Sequence, residues 1–158
     1  MHCDPTRPSQ LRLRTEQVAW IHSRAQWTHA VTITFLRSQL GVAPSKVTAC
    51  KAAKHLVNTL NRNLLGRGRV HRGHRIGSVA VFGTGPYGDH PHVHLAIAGP
   101  SGLPHEDVTK EIYHAIHCAR GLGRKLVIKP YNDVGWIEYM IDHCADGFDV
   151  VLVPPATP

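Results

Sequence analysis

Polar and apolar residues alternate along THAVTITF, which covers residues 28–35. Thr32 falls on one side of this segment and Val31 and Ile33 on the other, a pattern typical of a half-buried β-strand. Four further segments have the apolar, β-branched composition of strands. They are GSVAVFG (77–83), HVHLAIA (92–98), RKLVIKP (124–130) and FDVVLVPP (148–155). The pattern therefore predicts a sheet of about five strands.

Other segments repeat apolar residues at helical spacing. The longest predicted helix begins at Ser45, a favoured N-cap, and ends at Gly66. Further helices are predicted over 15–27 with Thr15 as N-cap, over 105–121 and over 135–147. The second and third strands form a hairpin, and helices connect the others. This order predicts an α+β fold in which an antiparallel sheet has flanking helices.

Length and composition favour one domain with its own core, because the chain has 158 residues and is 42% hydrophobic. We assign residues 1–158 to that domain, with 1–14 and 154–158 as flexible tails. The four cysteines form no CxxC pair, which argues against a zinc ribbon or a disulfide scaffold. No segment has the apolar character of a membrane span or a signal peptide. We therefore expect a cytoplasmic protein with no membrane partner.

Positive charge is concentrated in the first half of the chain. Lys and Arg number 18 against 11 Asp and Glu, and no acidic residue occurs between Glu16 and Asp89. The segment 62–75 is rich in arginine and suits the backbone of a nucleic acid, although a solvated loop would have the same composition. Its arginines are Arg62, Arg67, Arg69, Arg72 and Arg75.

Two histidines stand two positions apart in the third predicted strand. The side chains of His92 and His94 therefore project from one face of the sheet, at a spacing that suits one shared metal ion. Val93 and Leu95 point to the opposite face. In a chain with 13 histidines, a pair that bonds only backbone and water is the alternative.

The predicted helix over 135–147 carries Tyr139 and His143 one turn apart, on one face. If this helix packs over the sheet, it brings a phenol close to the two imidazoles. A tyrosine that packs in the core with its hydroxyl at the rim is the alternative.

The segments THAVTITF, HPHVHLAI and GWIEYM follow one another in this order, between Thr28 and about His143. The series resembles the three motifs of the HUH endonucleases, in particular the rolling-circle replication initiators of phages and plasmids. The resemblance implies an HUH/RRM-like sandwich and a nickase that acts on single-stranded DNA at an origin or hairpin. It also implies that His92 and His94 bind a divalent cation, Mn²⁺ or Mg²⁺. Tyr139 would attack a phosphate to give a 5′-phosphotyrosine link and a free 3′-hydroxyl.

Two positions depart from the family pattern. Family members usually carry an acidic third ligand on the strand before the HUH motif, where this chain has Gly83 or a neighbour. Asp89, His90 and His143 are the alternatives, and we prefer His143, because related single-tyrosine transposases take this ligand from the tyrosine helix. Initiators also often have a lysine three positions after the tyrosine, where this chain has Asp142. An arginine or lysine from another element would then have to balance the charge.

Three functions remain open from the sequence. The first is a replication nickase in a bacterial host, encoded by a phage or plasmid. Its DNA would be unwound by a separate helicase, because the chain has no ATPase motif. The second is a transposase or relaxase of the same chemistry. The third is a non-catalytic nucleic-acid-binding domain in which the histidine pair is structural.

Overall fold

The elements that position the candidate site are seen in a computed structural model, which describes residues 7–36, 44–83, 91–143 and 150–153. In chain order they are α1 (Arg7–His22), β1 (His29–Phe35), α2 (Lys46–Leu65), α3 (Arg67–His71), β2 (Gly77–Gly83), β3 (His92–Ala98), α4 (His105–Cys118), β4 (Leu122–Pro130), α5 (Gly135–Asp142) and β5 (Val150–Val153). None of the helices in these ranges is long and apolar enough to cross a membrane.

The five strands form one sheet in the order β4-β1-β3-β2-β5, and every neighbouring pair is antiparallel. The predicted α+β fold with an antiparallel five-stranded sheet is therefore confirmed. The β2–β3 hairpin pairs Gly77 with Ala98 at one end and Gly83 with His92 at the other. As a result, the two predicted metal ligands lie on the central strand.

Helices cover both faces of the sheet. The face that carries Val31, Ile33 and Leu95 packs against α2 and α4 in the larger core cluster. The opposite face packs against α1 and α5, with Ile137 and Met140 of α5 fully buried. Because side chains alternate along β3, His92 and His94 lie on the face that α5 covers.

Four helix boundaries differ from the prediction. The first helix begins at Arg7 and ends at His22, so residues 7–14 are helical and not a flexible tail. Thr15 lies inside this helix, and its prediction as the N-cap is therefore wrong. Pro8 is compatible with this start, because an N–H in the first helical turn has no partner within the helix. The last helix ends at Asp142 and not at residue 147, and α4 ends at Cys118.

The capping predictions for α2 are confirmed. The backbone N–H of Thr48 donates to the Ser45 hydroxyl, and Gly66 ends the helix with φ of +78°. The basic segment that follows was predicted as a connection only, but it contains the short helix α3. Residues 1–6 and 154–158 lie outside the described residues.

Candidate functional site

His94 is the most buried polar group of the site, with 2% of its surface exposed. Its partner is Thr32, directly opposite on β1, whose Oγ1 lies 3.0 Å from Nδ1 of His94. Burial, aided by the charges of His92 and His143, lowers the pKa of His94 to about 3. The ring is therefore neutral at physiological pH.

The other ring nitrogen of His94, Nε2, is buried and has no hydrogen-bond partner within the part of the chain that the structure describes. When Nδ1–H donates to the Thr32 hydroxyl, Nε2 carries a lone pair. A buried polar atom without a partner costs about 1–3 kcal/mol, so this lone pair is a natural position for a cation or a donor hydrogen.

His92 lies beside His94, with the ring centroids 4.5 Å apart. It stands opposite Gly83 on β2, and a Cβ atom added to Gly83 would lie 2.6 Å from Nε2 of His92. The same Cβ would lie 3.2 Å from the backbone oxygen of His143. A residue larger than glycine at position 83 would require the His92 ring to shift, so glycine fits this position, where HUH endonucleases usually carry an acid.

Tyr139 projects from α5 into the same region. Its ring meets His94 edge to face, with the centroids 5.1 Å apart, and 40% of its surface is exposed. The helix is anchored by Trp136, whose Nε1–H donates to the backbone oxygen of Leu95 on β3 at 3.0 Å. The neighbouring apolar side chains of α5 are buried, so Tyr139 is left at the solvent-facing margin of the helix, above the histidines.

His143 caps the C-terminus of α5 and packs on Tyr139, with the ring centroids 4.0 Å apart. Its Nδ1–H donates to the carbonyl oxygen of Tyr139 at 2.9 Å, which leaves Nε2 as the acceptor nitrogen. The centroid of this ring lies 6.2 Å from that of His94. The His143 ring is thus closer to the phenol than to the ring of His94.

The fit of these residues to a metal ion is partial. Within residues 7–36, 44–83, 91–143 and 150–153, no three His, Cys, Asp or Glu side chains are grouped closely enough to hold one. The orphaned Nε2 of His94 and the neighbouring His92 suit a cation as a pair of nitrogen ligands. The alternative third ligands Asp89 and His90 lie outside the described residues.

A cavity of about 500 Å³ opens in front of the histidines and Tyr139. Across the sheet its wall continues over Thr34 of β1 and Val127 and Lys129 of β4. Lys129 brings a positive charge into this cavity. Asp142, which stands where HUH endonucleases often carry a lysine, forms an ion pair with Arg14 of α1.

The predicted arginines do not join this cavity. They lie at the end of α2, in α3 and before Gly77, whereas Gly83 marks the histidine end of β2. The six-residue separation along β2 corresponds to roughly 20 Å. The arginine segment therefore lies at the opposite end of the sheet. Its members are Arg62, Arg67, Arg69, Arg72 and Arg75.

Sequence reasoning missed Thr32 and Lys129 as parts of the site. The alternation in β1 did assign Thr32 and Thr34 to one face, and that was the available signal. Which residue stands opposite His94 depends on strand order and register, which the local pattern does not contain. Comparison with protein-family models, with curated proteins and with solved structures gives no match for this chain.

Proposed function

We propose that this chain is a nickase and strand transferase for single-stranded DNA, with Tyr139 as its nucleophile. The observation that carries the proposal is the contact between a half-exposed phenol and the buried ring of His94, whose Nε2 has no partner among the described residues. The cavity at this contact also contains Lys129. The order of the three sequence motifs, which resembles that of HUH endonucleases, supports the same assignment.

The proposed reaction exchanges one phosphate ester for another. The phenol oxygen of Tyr139 attacks phosphorus, a new O–P bond forms, and the bond from phosphorus to the 3′ oxygen breaks. The phenol loses its proton, and the leaving 3′ oxygen gains one. The products are a 5′-phosphotyrosine link and a 3′-hydroxyl. Because one ester replaces another, the step is reversible, and the same residue can rejoin strands.

The residues around Tyr139 have distinct roles in this proposal. Lys129 lines the cavity, and its ammonium group would offset the negative charge of the phosphate. His94 stays neutral and offers the Nε2 lone pair, and Thr32 fixes the orientation of its ring. A divalent cation held by His92 and His94 would neutralise charge on the non-bridging phosphate oxygens. Nitrogen ligands favour Mn²⁺ over Mg²⁺, which prefers oxygen.

The biological role that we propose is the initiation of rolling-circle replication of a phage or plasmid in the bacterial cytoplasm, with a separate helicase. A transposase or relaxase would use the same chemistry on a different DNA. Nicking of an origin without transfer to a second DNA favours replication, whereas transfer to a target strand by a dimer favours transposition.

A second candidate function is non-catalytic nucleic-acid binding. It is favoured by one observation, that no three metal-ligating side chains cluster within the described ranges. Under this function, DNA binding is equal with Mn²⁺ and with EDTA, and no strand is cut under any cation.

The full chain, incubated with a labelled pool of single-stranded hairpin oligonucleotides and Mn²⁺, tests the nickase function. We expect a covalent protein–DNA adduct on a denaturing gel, abolished by EDTA and by Tyr139→Phe. Tyr113→Phe is the matched control, because Tyr113 is similarly exposed but lies on α4. An adduct that persists in Tyr139→Phe would rule out the assigned nucleophile, and the absence of any adduct in wild type would leave the binding function.

A further inference from the structure

A second cavity, of about 360 Å³, lies at the end of the sheet away from Tyr139. It is bounded by α3, the start of β2 at Gly77 and the end of β3 at Ala98. Arg69, His74 and Arg75 line it. None of the assignments made above from the tyrosine site uses this cavity.

The lining of this cavity is basic and contains no acidic residue. The two arginines also form no ion pair with any acid among the residues that the structure describes. Their charge is therefore available to an anion.

Arg75 is held in place by the protein backbone. Its Nη1 donates to the carbonyl oxygens of Val70 and His74, both at 2.7 Å, and the side chain is half-buried. This fixes the plane of the guanidinium group and leaves its other N–H groups for a ligand. A planar fork that is already oriented suits the bidentate recognition of a phosphate. Arg69 is exposed on α3 and completes the wall.

We infer that this cavity binds a phosphodiester of a nucleic-acid strand, distinct from the phosphate that reacts at Tyr139. Its volume falls within the range of roughly 300–1,000 Å³ typical of ligand sites, so it accommodates a nucleotide unit rather than a phosphate ion alone. This inference rests on the proposed function in so far as the strand is the nicked DNA.

The distance between the two sites fits a short length of strand. Along β3, Ala98 at the second cavity is four residues from His94 and six from His92, which corresponds to roughly 13–20 Å. Nucleotides that stack at about 3.4 Å cover this distance in about four to six steps. The second cavity would therefore fix the register of the strand at Tyr139 from a few nucleotides away.

The experiment measures DNA binding without cleavage, using the full chain with Tyr139→Phe in EDTA and a labelled single-stranded oligonucleotide over a series of salt concentrations. Arg69→Gln is compared with Arg67→Gln, a matched control that removes the same charge from an exposed position of α3 outside the cavity. We expect Arg69→Gln to weaken binding about fivefold more than the control. We also expect Arg69→Gln to reduce the slope of log K against log salt concentration by about 0.7, the value for one phosphate contact with a single strand.

Arg75→Lys is the second variant, because it keeps the charge and removes the fork. Its melting temperature is measured alongside, and a folded variant with weakened binding supports the inference. Equal affinities for Arg69→Gln and Arg67→Gln would overturn it, since the arginines would then act only as diffuse charge. Tight binding of inorganic phosphate that leaves DNA binding unchanged would also overturn it, because the cavity would then be a site for free phosphate.

The failure of this inference and the failure of the proposed nickase function give different results. With Tyr139 restored and DNA at saturation, Arg69→Gln should still form the covalent adduct with Mn²⁺. If no variant forms an adduct but Arg69→Gln alone binds poorly, the nickase function fails and the phosphate site stands. If adducts form and Arg69→Gln and Arg67→Gln bind DNA equally, the nickase function stands and the phosphate site fails.

Discussion

Replacement of Thr32 by valine tests how the central histidine is held. The substitution keeps the shape of the side chain but removes the hydroxyl that lies 3.0 Å from Nδ1 of His94. His94 is 2% exposed and its Nε2 already has no partner among the described residues, so the change leaves both ring nitrogens unsatisfied. The expected loss of unfolding free energy is about 1–3 kcal/mol. For a chain of this length, each kcal/mol lowers the melting temperature by roughly 2–4 °C.

Urea denaturation at pH 7, followed by circular dichroism, measures this loss. Thr34→Val is the matched control, two positions along the same face of β1. The Thr34 hydroxyl makes only a longer bond of 3.3 Å, to the exposed carbonyl of Lys125, so we expect a change of at most about 0.5 kcal/mol. If the two variants lose equal stability, the hydrogen bond to His94 does not hold the ring. If His94 also binds the cation, Thr32→Val should lower metal affinity about 10–100-fold.

Three other changes test the site and the buried His29. Gly83→Ala should lower the free energy of unfolding by about 1–3 kcal/mol and reduce adduct formation, because the new Cβ would lie 2.6 Å from Nε2 of His92. The control is Gly68→Ala, whose Cβ would lie 3.6 Å from its nearest atom, and it should be neutral or stabilising in the same denaturation assay. Burial lowers the pKa of His29, so as the pH falls the unfolded chain binds a proton before the folded chain does, and the free energy of unfolding should decrease below about pH 6.5. Urea denaturation at pH 7 and pH 5 should show a smaller decrease in this free energy for His29→Gln than for wild type. An equal decrease would exclude His29 as its cause. Lys129→Gln should slow adduct formation about tenfold without loss of stability. The control is Lys125→Gln, on the same face of β4 but outside the cavity, which should leave the rate unchanged. Equal rates for the two variants in a quenched time course would show that Lys129 does not act in the site.

Local patterns were sufficient to predict the strands and the helices α2 and α4, but not the extent of α1. The alternation in β1 and the spacing of His92 and His94 each reflect the geometry of a strand, which neighbouring residues determine. The same holds for the Ser45 cap, because a hydroxyl and an N–H three residues later make that hydrogen bond within one turn. The placement of both histidines on one face therefore needed no tertiary information.

The completed site depends on contacts that are remote in sequence. Thr32 and His94 are 62 positions apart, and their pairing requires the β1–β3 register. Lys129 reaches the cavity because β4 lies next to β1, two strands from β3. Likewise, the composition of 62–75 indicated positive charge, but only the direction of β2 puts Arg75 at the far end of the sheet.

The central position of β3 has a consequence for the order in which parts of the molecule open. Both edges of this strand are hydrogen-bonded, to β1 and to β2, so its amides should be among the last to exchange with solvent deuterium. Tyr139 instead belongs to an eight-residue helix at the surface, whose amides should exchange at much lower opening cost. The proposed nucleophile, Tyr139, should therefore lie on an element that opens more readily than the strand that holds His92 and His94.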